Sequence, residues 1–218
     1  MSSIRKEKLV SGEIYHVFNK SIAGYKIFNK SSDYKSFIFR ILFYNSQKRE
    51  TSFSRFFRNN PDYGIKDFLE LERGKIVDVI AYCLMPTHFH LILKQKADCG
   101  ISDLMLNLCD SYSRRFNLTH KRNGPLWQGR FKDVLVKTDE QLLHLTRYVH
   151  LNPSTSGLAE NPEEWAFSSY REYLGLSEDR ICDFSDYMAV KPETYREFVE
   201  DRIDYQQELA RIKKIIIE

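Results

Sequence analysis

The order of strand and helix patterns along the chain is the feature that most constrains its fold. Strand-like patterns lie at 13–18, 76–84, 88–94 and 131–136. Apolar residues recur at helical spacing over 33–44 and 101–118. The resulting order predicts a ferredoxin-like βαββαβ fold of the α+β class, in which one antiparallel sheet carries two helices on one face. The other face is left open for a site or for a further element.

Regions outside this pattern define the expected domain organisation. The polar, mixed stretch 47–75 predicts an insertion into a single catalytic domain over 1–175. Residues 176–218 predict a helical extension, with a last amphipathic helix at 193–216. The sequence contains no apolar run of the ~20 residues that a membrane-spanning helix needs. Four cysteines without regular spacing favour free thiols, which fits a reducing cytoplasm.

Two histidines on the third strand pattern are the first chemical signal. Side chains alternate along a strand, so His88 and His90 point to one face and Phe89 points to the other. Two neutral imidazoles side by side can bind a divalent metal. Two histidines without a ligand are the alternative, and a His-x-His motif taken alone favours this alternative, because the motif occurs often by chance. Ile92 occupies the next position on that face, which argues against a histidine-triad hydrolase.

A helix pattern at 139–151 follows the last strand and carries the second signal. Tyr148 and Asn152 are four residues apart and share one helix face. An amide oxygen suits Mg²⁺ or Mn²⁺ as a third ligand, and a tyrosine beside that metal can attack phosphorus. The alternative is a core tyrosine with Asn152 as a helix cap. Pro153 is expected to end the helix, because the residue before a proline avoids the helical conformation.

A basic segment lies between these two signals. The net charge is only +3, but residues 111–132 contain no acidic side chain. Phosphate contacts are expected from several cations, and base stacking from one aromatic ring; the residues are Arg114, Arg115, Arg122, Arg130 and Lys132, with Trp127 as the ring. The alternatives are a solvated basic surface and a tryptophan that fills the core.

Short motifs in a fixed order give the chain a family resemblance. They are Ile14-Tyr15-His16-Val17, Leu84-Met85-Pro86-Thr87-His88-Phe89-His90-Leu91, Gly124-Pro125-Leu126-Trp127-Gln128-Gly129-Arg130-Phe131, Arg147-Tyr148-Val149-His150-Leu151-Asn152-Pro153 and Ser168-Ser169-Tyr170. Over roughly residues 12 to 174 the chain resembles the single-tyrosine transposases of the HUH superfamily, particularly the REP-associated tyrosine transposases and their insertion-sequence relatives.

The resemblance implies both a site and a reaction. His88, His90 and Asn152 are implied to hold the metal, and Tyr148 to attack single-stranded DNA that is folded into hairpins. The implied product is a 5′-phosphotyrosine with a free 3′-hydroxyl, which later rejoins strands in DNA transposition. Thr87 departs from the asparagine that members often carry before the first histidine. Relatives act as monomers or homodimers.

Three other functions stay compatible with these residues. A replication or conjugation nickase of the same superfamily uses the same chemistry on another substrate. A domesticated DNA-binding protein keeps the fold without catalysis. A metal-dependent phosphoesterase uses water and forms no covalent intermediate.

Overall fold

A computed structural model describes residues 8–47, 51–70 and 74–208. The strands are β1 (Ile14–Lys20), β2 (Val77–Met85), β3 (His88–Gln95) and β4 (Lys132–Val136). The helices are α1 (Ser31–Tyr44), α2 (Phe53–Asn59), α3 (Ile65–Leu69), α4 (Gly100–Thr119), α5 (Asp139–Thr155), α6 (Tyr170–Tyr173) and α7 (Pro192–Glu200). Short 3₁₀ turns lie at Ile22–Gly24, Pro162–Glu164 and Phe184–Asp186.

The sheet has the topology that the sequence predicts. Its four strands are antiparallel in the order β2-β3-β1-β4. A two-residue turn, Pro86-Thr87, joins β2 to β3 and pairs Met85 with His88. With α1 after β1 and α4 after β3, the βαββαβ prediction is confirmed.

One face of the sheet packs against α1 and α4 and forms the larger core. From the central strands it receives Val17, Phe89 and Leu91, which are fully buried. Phe37 on α1 and Tyr112 on α4 meet them from the helix layer. Burial of these side chains follows directly from period-two alternation in the strands and the apolar lines of the two helices.

The opposite face is covered by α5, α6 and the segment that follows them. Ile92 and Cys83 of the sheet form a second core with Val149 of α5. Tyr195 and Val199 of α7 complete it, so the predicted extension packs onto the domain. The predicted helix at 193–216 is described as α7 and a second helical stretch at 203–208; its last residues lie outside the described part of the chain.

The segment predicted as an insertion adds a third, aromatic cluster. Helices α2 and α3 bring Phe53, Phe56 and Phe68 against Phe43 of α1. This segment therefore packs against α1, on the helix layer. No helix within 8–47, 51–70 or 74–208 is long and apolar enough to cross a membrane.

One helix end differs from the prediction. Helix α5 continues through Pro153 to Thr155 instead of ending before the proline. Pro153 has no N–H to donate to the carbonyl four residues earlier. The Asn152 side chain compensates, because its Nδ2 donates to the backbone oxygens of Tyr148 (2.8 Å) and Val149 (3.5 Å).

Candidate active site

Strand alternation and helix packing bring three predicted residues together. His88 and His90 stand on the face of β3 that α5 covers, with ring centroids 5.1 Å apart and planes at 87°. The ring of Tyr148 on α5 is nearly perpendicular to that of His90, at a centroid distance of 5.6 Å. The tyrosine and the two imidazoles thus share one small region between β3 and α5.

A third histidine, His16, belongs to this cluster and was not predicted as a site residue. β1 pairs with β3, and His16 Nε2 lies 2.9 Å from His90 Nδ1. The His16 ring stacks on that of His90 at 5.1 Å and lies 6.2 Å from Tyr148. A signal for it exists in the sequence, because the ferredoxin-like order places β1 beside the strand that carries His88.

Burial keeps these imidazoles neutral. It lowers the pKa of His16 and of His88 from the ordinary 6.5 to about 4, and the nearby Lys20 adds to the effect on His88. Burial also holds the pKa of His90 well below its ordinary value, with smaller contributions from His16 and His88. A neutral imidazole presents one nitrogen as a donor and the other as an acceptor.

Hydrogen bonds to the Nδ1 atoms of His88 and His90 determine which ring nitrogens can bind a metal. His90 Nδ1 is engaged by His16, and His88 Nδ1 lies 3.0 Å from Thr87 Oγ1. If each Nδ1 carries the proton and donates it, both Nε2 atoms present lone pairs. Thr87, which stands where family members often carry asparagine, therefore supplies a hydrogen-bond partner for His88.

The donor set fits a divalent cation with mixed ligands. Within the described residues no group of three His, Cys, Asp or Glu side chains is placed to hold a metal. His88 and His90 offer two neutral nitrogens, and a further ligand would have to be an amide or water oxygen. Asn152 Oδ1 is such an oxygen, because the hydrogen bonds of this side chain to α5 use only its nitrogen.

Tyr148 is accessible to solvent although its ring contacts the rings of His16 and His90. It is 47% exposed. Burial raises the pKa of its hydroxyl, and a hydrogen bond with Asn152 partly opposes this. The phenol is therefore protonated at neutral pH and must lose its proton during any attack. His144, four residues before Tyr148 on the same helix, contacts Arg147 (2.8 Å) and the Phe198 ring.

A buried histidine fixes the helix that carries Tyr148. His150 is fully buried, with Nδ1 2.8 Å from Tyr195 Oη and Nε2 2.8 Å from Ser169 Oγ. Ser169 Oγ in turn accepts from the backbone N–H of Tyr82 on β2. The chain of bonds ties α5 to the sheet and to α7, two residues from the tyrosine.

One of the predicted DNA contacts, Lys132, lies on the histidine face, and another, Arg130, precedes it by two residues. Lys132 begins β4 and pairs with Phe18, whose ring is 5.9 Å from that of His90. Register partners share a face, so Lys132 stands on the histidine face. Arg130 is exposed in the loop just before β4.

Two further predicted DNA-binding residues, Arg122 and Trp127, instead stabilise the loop that precedes β4. Arg122 donates to Asn117 Oδ1 (2.9 Å) and to the backbone oxygen of Pro125 (2.7 Å). The Trp127 ring packs on Phe89 and donates from Nε1 to the Cys109 backbone oxygen at 3.1 Å. For Trp127 this favours the core-filling alternative.

The last two predicted DNA-binding residues, Arg114 and Arg115, lie on the helix layer, on the other side of the sheet from Tyr148. Arg114 and Arg115 belong to α4 and bind Asp110 and Asp33. The structure therefore divides the predicted basic residues between two faces.

Comparisons with known proteins agree with this geometry. The family described as Transposase IS200 like matches residues 49–152, a range that holds His88, His90, Tyr148 and Asn152 but not His16. A Haemophilus influenzae protein described as a candidate REP-associated tyrosine transposase is 26% identical over 103 residues, covering 43% of this chain. The match spans 58% of that relative's length.

A solved structure shares the fold. The structure of a REP-associated tyrosine transposase bound to a REP hairpin covers 88% of this chain and 99% of its own, with a TM-score of 0.53 and 17% identity. The resemblance predicted from the sequence is confirmed: the chain is similar to single-tyrosine transposases in sequence and in fold.

Proposed function

We propose that this chain is a transposase that cleaves and rejoins single-stranded DNA through a 5′-phosphotyrosine intermediate. The observation that carries the proposal is the accessible Tyr148 at 5.6 Å from His90, beside His88 on the same strand face. A nucleophile next to two neutral imidazoles is an arrangement suited to phosphoryl transfer. The similarity to tyrosine transposases points to the same chemistry.

The reaction uses Tyr148 as the attacking group. Its Oη forms a bond to phosphorus, its proton passes to water, and the 3′-oxygen of the preceding nucleotide leaves and takes up a proton. The bond energy is retained in the phosphotyrosine, so a free 3′-hydroxyl can later attack the same phosphorus and release Tyr148. Two steps of equal chemistry thus cut and rejoin the strand without a nucleotide cofactor.

The polar residues around Tyr148 bind and orient. His88, His90 and Asn152 would hold Mg²⁺ or Mn²⁺, which supplies Lewis-acid polarisation of a phosphoryl oxygen. His16 keeps the His90 ring in position through the 2.9 Å contact, and Thr87 does the same for His88. The hydrogen bonds of His150 hold the Tyr148 helix against the sheet.

The substrate we propose is a DNA hairpin with a flanking single strand. Lys132 and Arg130, on or beside the histidine face, would contact backbone phosphates of the flanking strand. The related protein whose structure contains a REP hairpin supports the choice of substrate. The chain would act in the cytoplasm as a monomer or homodimer, and four free cysteines suit that compartment.

Covalent adduct formation tests this function. Labelled hairpin oligonucleotides with flanking single strands are incubated with the full chain and Mn²⁺ or Mg²⁺, then separated on a denaturing gel. Tyr148→Phe should abolish the protein-linked band and keep DNA binding, because only the attacking oxygen is removed. Tyr25→Phe, which alters an exposed tyrosine of another region, is the matched control.

Each other outcome of this experiment supports an alternative to the proposed function or to the role of Tyr148. Metal-dependent cutting without an adduct points to hydrolysis by water. Adducts that persist in Tyr148→Phe remove Tyr148 from the role. Binding without any cut, under either metal, points to a DNA-binding protein without catalysis.

A further inference from the structure

A basic cavity lies on the helix layer, on the side of the sheet opposite Tyr148. Its volume is about 540 Å³, within the range of roughly 300–1,000 Å³ that small-ligand pockets occupy. The lining combines three arginines and four serines with a few apolar side chains; the polar residues are Arg40, Arg114, Arg115, Ser36, Ser52, Ser54 and Ser111. Among the described residues no carboxylate lines it.

Arg40 is the unusual residue of this cavity. It is 3% exposed, yet no carboxylate of the described chain lies within ion-pair distance of its guanidinium. Its Nε donates to Ser111 Oγ (3.0 Å), and its Nη1 donates to the backbone oxygen and the hydroxyl of Ser36. These bonds use Nε and Nη1 and leave the N–H groups on Nη2 for a further acceptor.

The charge of Arg40 is retained although it is buried. Burial, followed by the neighbouring Arg115, lowers the pKa of Arg40 to about 10, so the guanidinium is protonated at neutral pH. The Phe53 ring covers it at 4.0 Å and holds it in place. A buried cation with neutral partners is costly unless an anion completes its surroundings.

The neighbouring arginines already have their own carboxylates. Arg115 binds Asp33 at 3.1 Å and Arg114 binds Asp110, and neither aspartate lines the cavity. Their guanidinium groups nonetheless border the same space as Arg40. Planar guanidinium forks and serine hydroxyls are the donors that bind phosphate oxygens in proteins.

We propose that this cavity is a phosphate-binding site, built by α1 and α4 and closed by helix α2 with the residue before it. Its ligand is a phosphate group, either on a free phosphate or mononucleotide or in the backbone of bound DNA. Ser52, Phe53 and Ser54, all from the segment 47–75, supply one wall. The site is separate from the Tyr148 region, and its existence does not depend on the proposed transposase activity.

Phosphate binding by the full chain tests the proposal. Inorganic phosphate is titrated calorimetrically at constant ionic strength, with chloride as the replaced ion. We expect saturable binding that Arg114→Gln weakens about tenfold or more, because it removes a charged donor. Arg114 is exposed, so this variant should fold. Arg55→Gln, on α2 but outside the lining, is the matched control and should bind like the unaltered protein.

A second variant addresses the buried arginine. Arg40→Lys keeps the charge but removes the guanidinium fork, and we expect it to weaken phosphate binding by a similar factor. Circular dichroism checks whether Arg40→Lys folds. If Arg40→Lys does not fold, the result for Arg114→Gln decides the test. Equal affinity in Arg114→Gln and the unaltered protein, or no saturable heat, would overturn the proposal. Tyr148→Phe should leave phosphate binding unchanged.

Competition distinguishes the two sources of phosphate. Labelled single-stranded DNA is bound to the protein at constant ionic strength, and inorganic phosphate or a mononucleotide is added. If DNA is released, and if Arg114→Gln weakens DNA binding as it weakens phosphate binding, the ligand is a backbone phosphate of DNA. If phosphate binds without displacing DNA, the ligand is a free phosphate or mononucleotide.

Discussion

The two faces of the sheet are built from alternate residues of the same strands but are held together differently. Toward α1 and α4, β3 presents Phe89, which packs among aromatic and aliphatic side chains. Toward α5 it presents His88 and His90, which meet His16 and Tyr148 through a hydrogen bond and ring contacts. Packing thus stabilises both faces, the second through Ile92, Cys83 and Val149, but only the second also carries the positioned polar groups to which we assign the proposed chemistry. Mutations on the two faces should therefore have different effects.

The largest expected effect is on the packed face. Phe89→Ala removes a fully buried ring and should lower the free energy of unfolding by about 3–5 kcal/mol, as measured by urea denaturation. Leu106→Ala, on the outer side of α4 and 70% exposed, is the control and should change it by less than about 0.5 kcal/mol. A small loss in Phe89→Ala would mean that the aromatic core does not carry the stability of this face.

A smaller effect is expected from acid, and it should arise on the histidine face. The folded-state pKa of His16 is about 4, below the ordinary 6.5, so the unfolded chain binds more protons between these values. The free energy of unfolding should therefore fall as pH decreases from about 6.5 to about 4, by on the order of 3 kcal/mol for His16. Stability above pH 6.5 should be insensitive to this group.

Comparison with His16→Gln isolates this contribution. Other groups titrate nearby in pH; burial raises the pKa of Glu172 to about 7, which acts in the opposite direction. The difference between the two stability curves cancels Glu172 and leaves the histidine. Parallel curves for the two proteins would show that His16 is not the source of the acid sensitivity.

The smallest effect concerns the orientation of His90. His16→Ala removes the partner of His90 Nδ1 and should reduce metal-dependent adduct formation by about 10–100-fold, as is typical for residues that orient metal ligands. His16→Gln can still accept a hydrogen bond through its amide oxygen and should recover part of the loss. If higher Mn²⁺ concentration restores His16→Ala, the residue acts through metal affinity. Unchanged adduct formation in His16→Ala would contradict the positioning role.

The packed face could be predicted well from sequence, because period-two and helical spacing depend on which side chains avoid water. The β2-β3 turn and the sheet order followed from the same patterns. The direction of His88 and His90 followed too, since alternation fixes the face on which each strand residue lies.

The rest depended on contacts between distant segments. His16 becomes part of the site only through the pairing of β1 with β3, and His150 only through Ser169 and Tyr195. The continuation of α5 beyond Pro153 depends on an asparagine side chain that takes over backbone hydrogen bonding, which a local rule for proline does not include. The cavity at Arg40 needs α2, whose place in the fold has no local sequence signal.

The two-residue turn between β2 and β3 determines which side chains of β3 lie on each face of the sheet. Met85 pairs with His88 across it, so one residue added or removed just before His88, with the rest of the turn unchanged, would exchange the faces of every position on β3. Histidines would then point into the aromatic core and leucines toward Tyr148. Over evolutionary time, this strand can drift by substitution on either face, but it has almost no tolerance for a change in length.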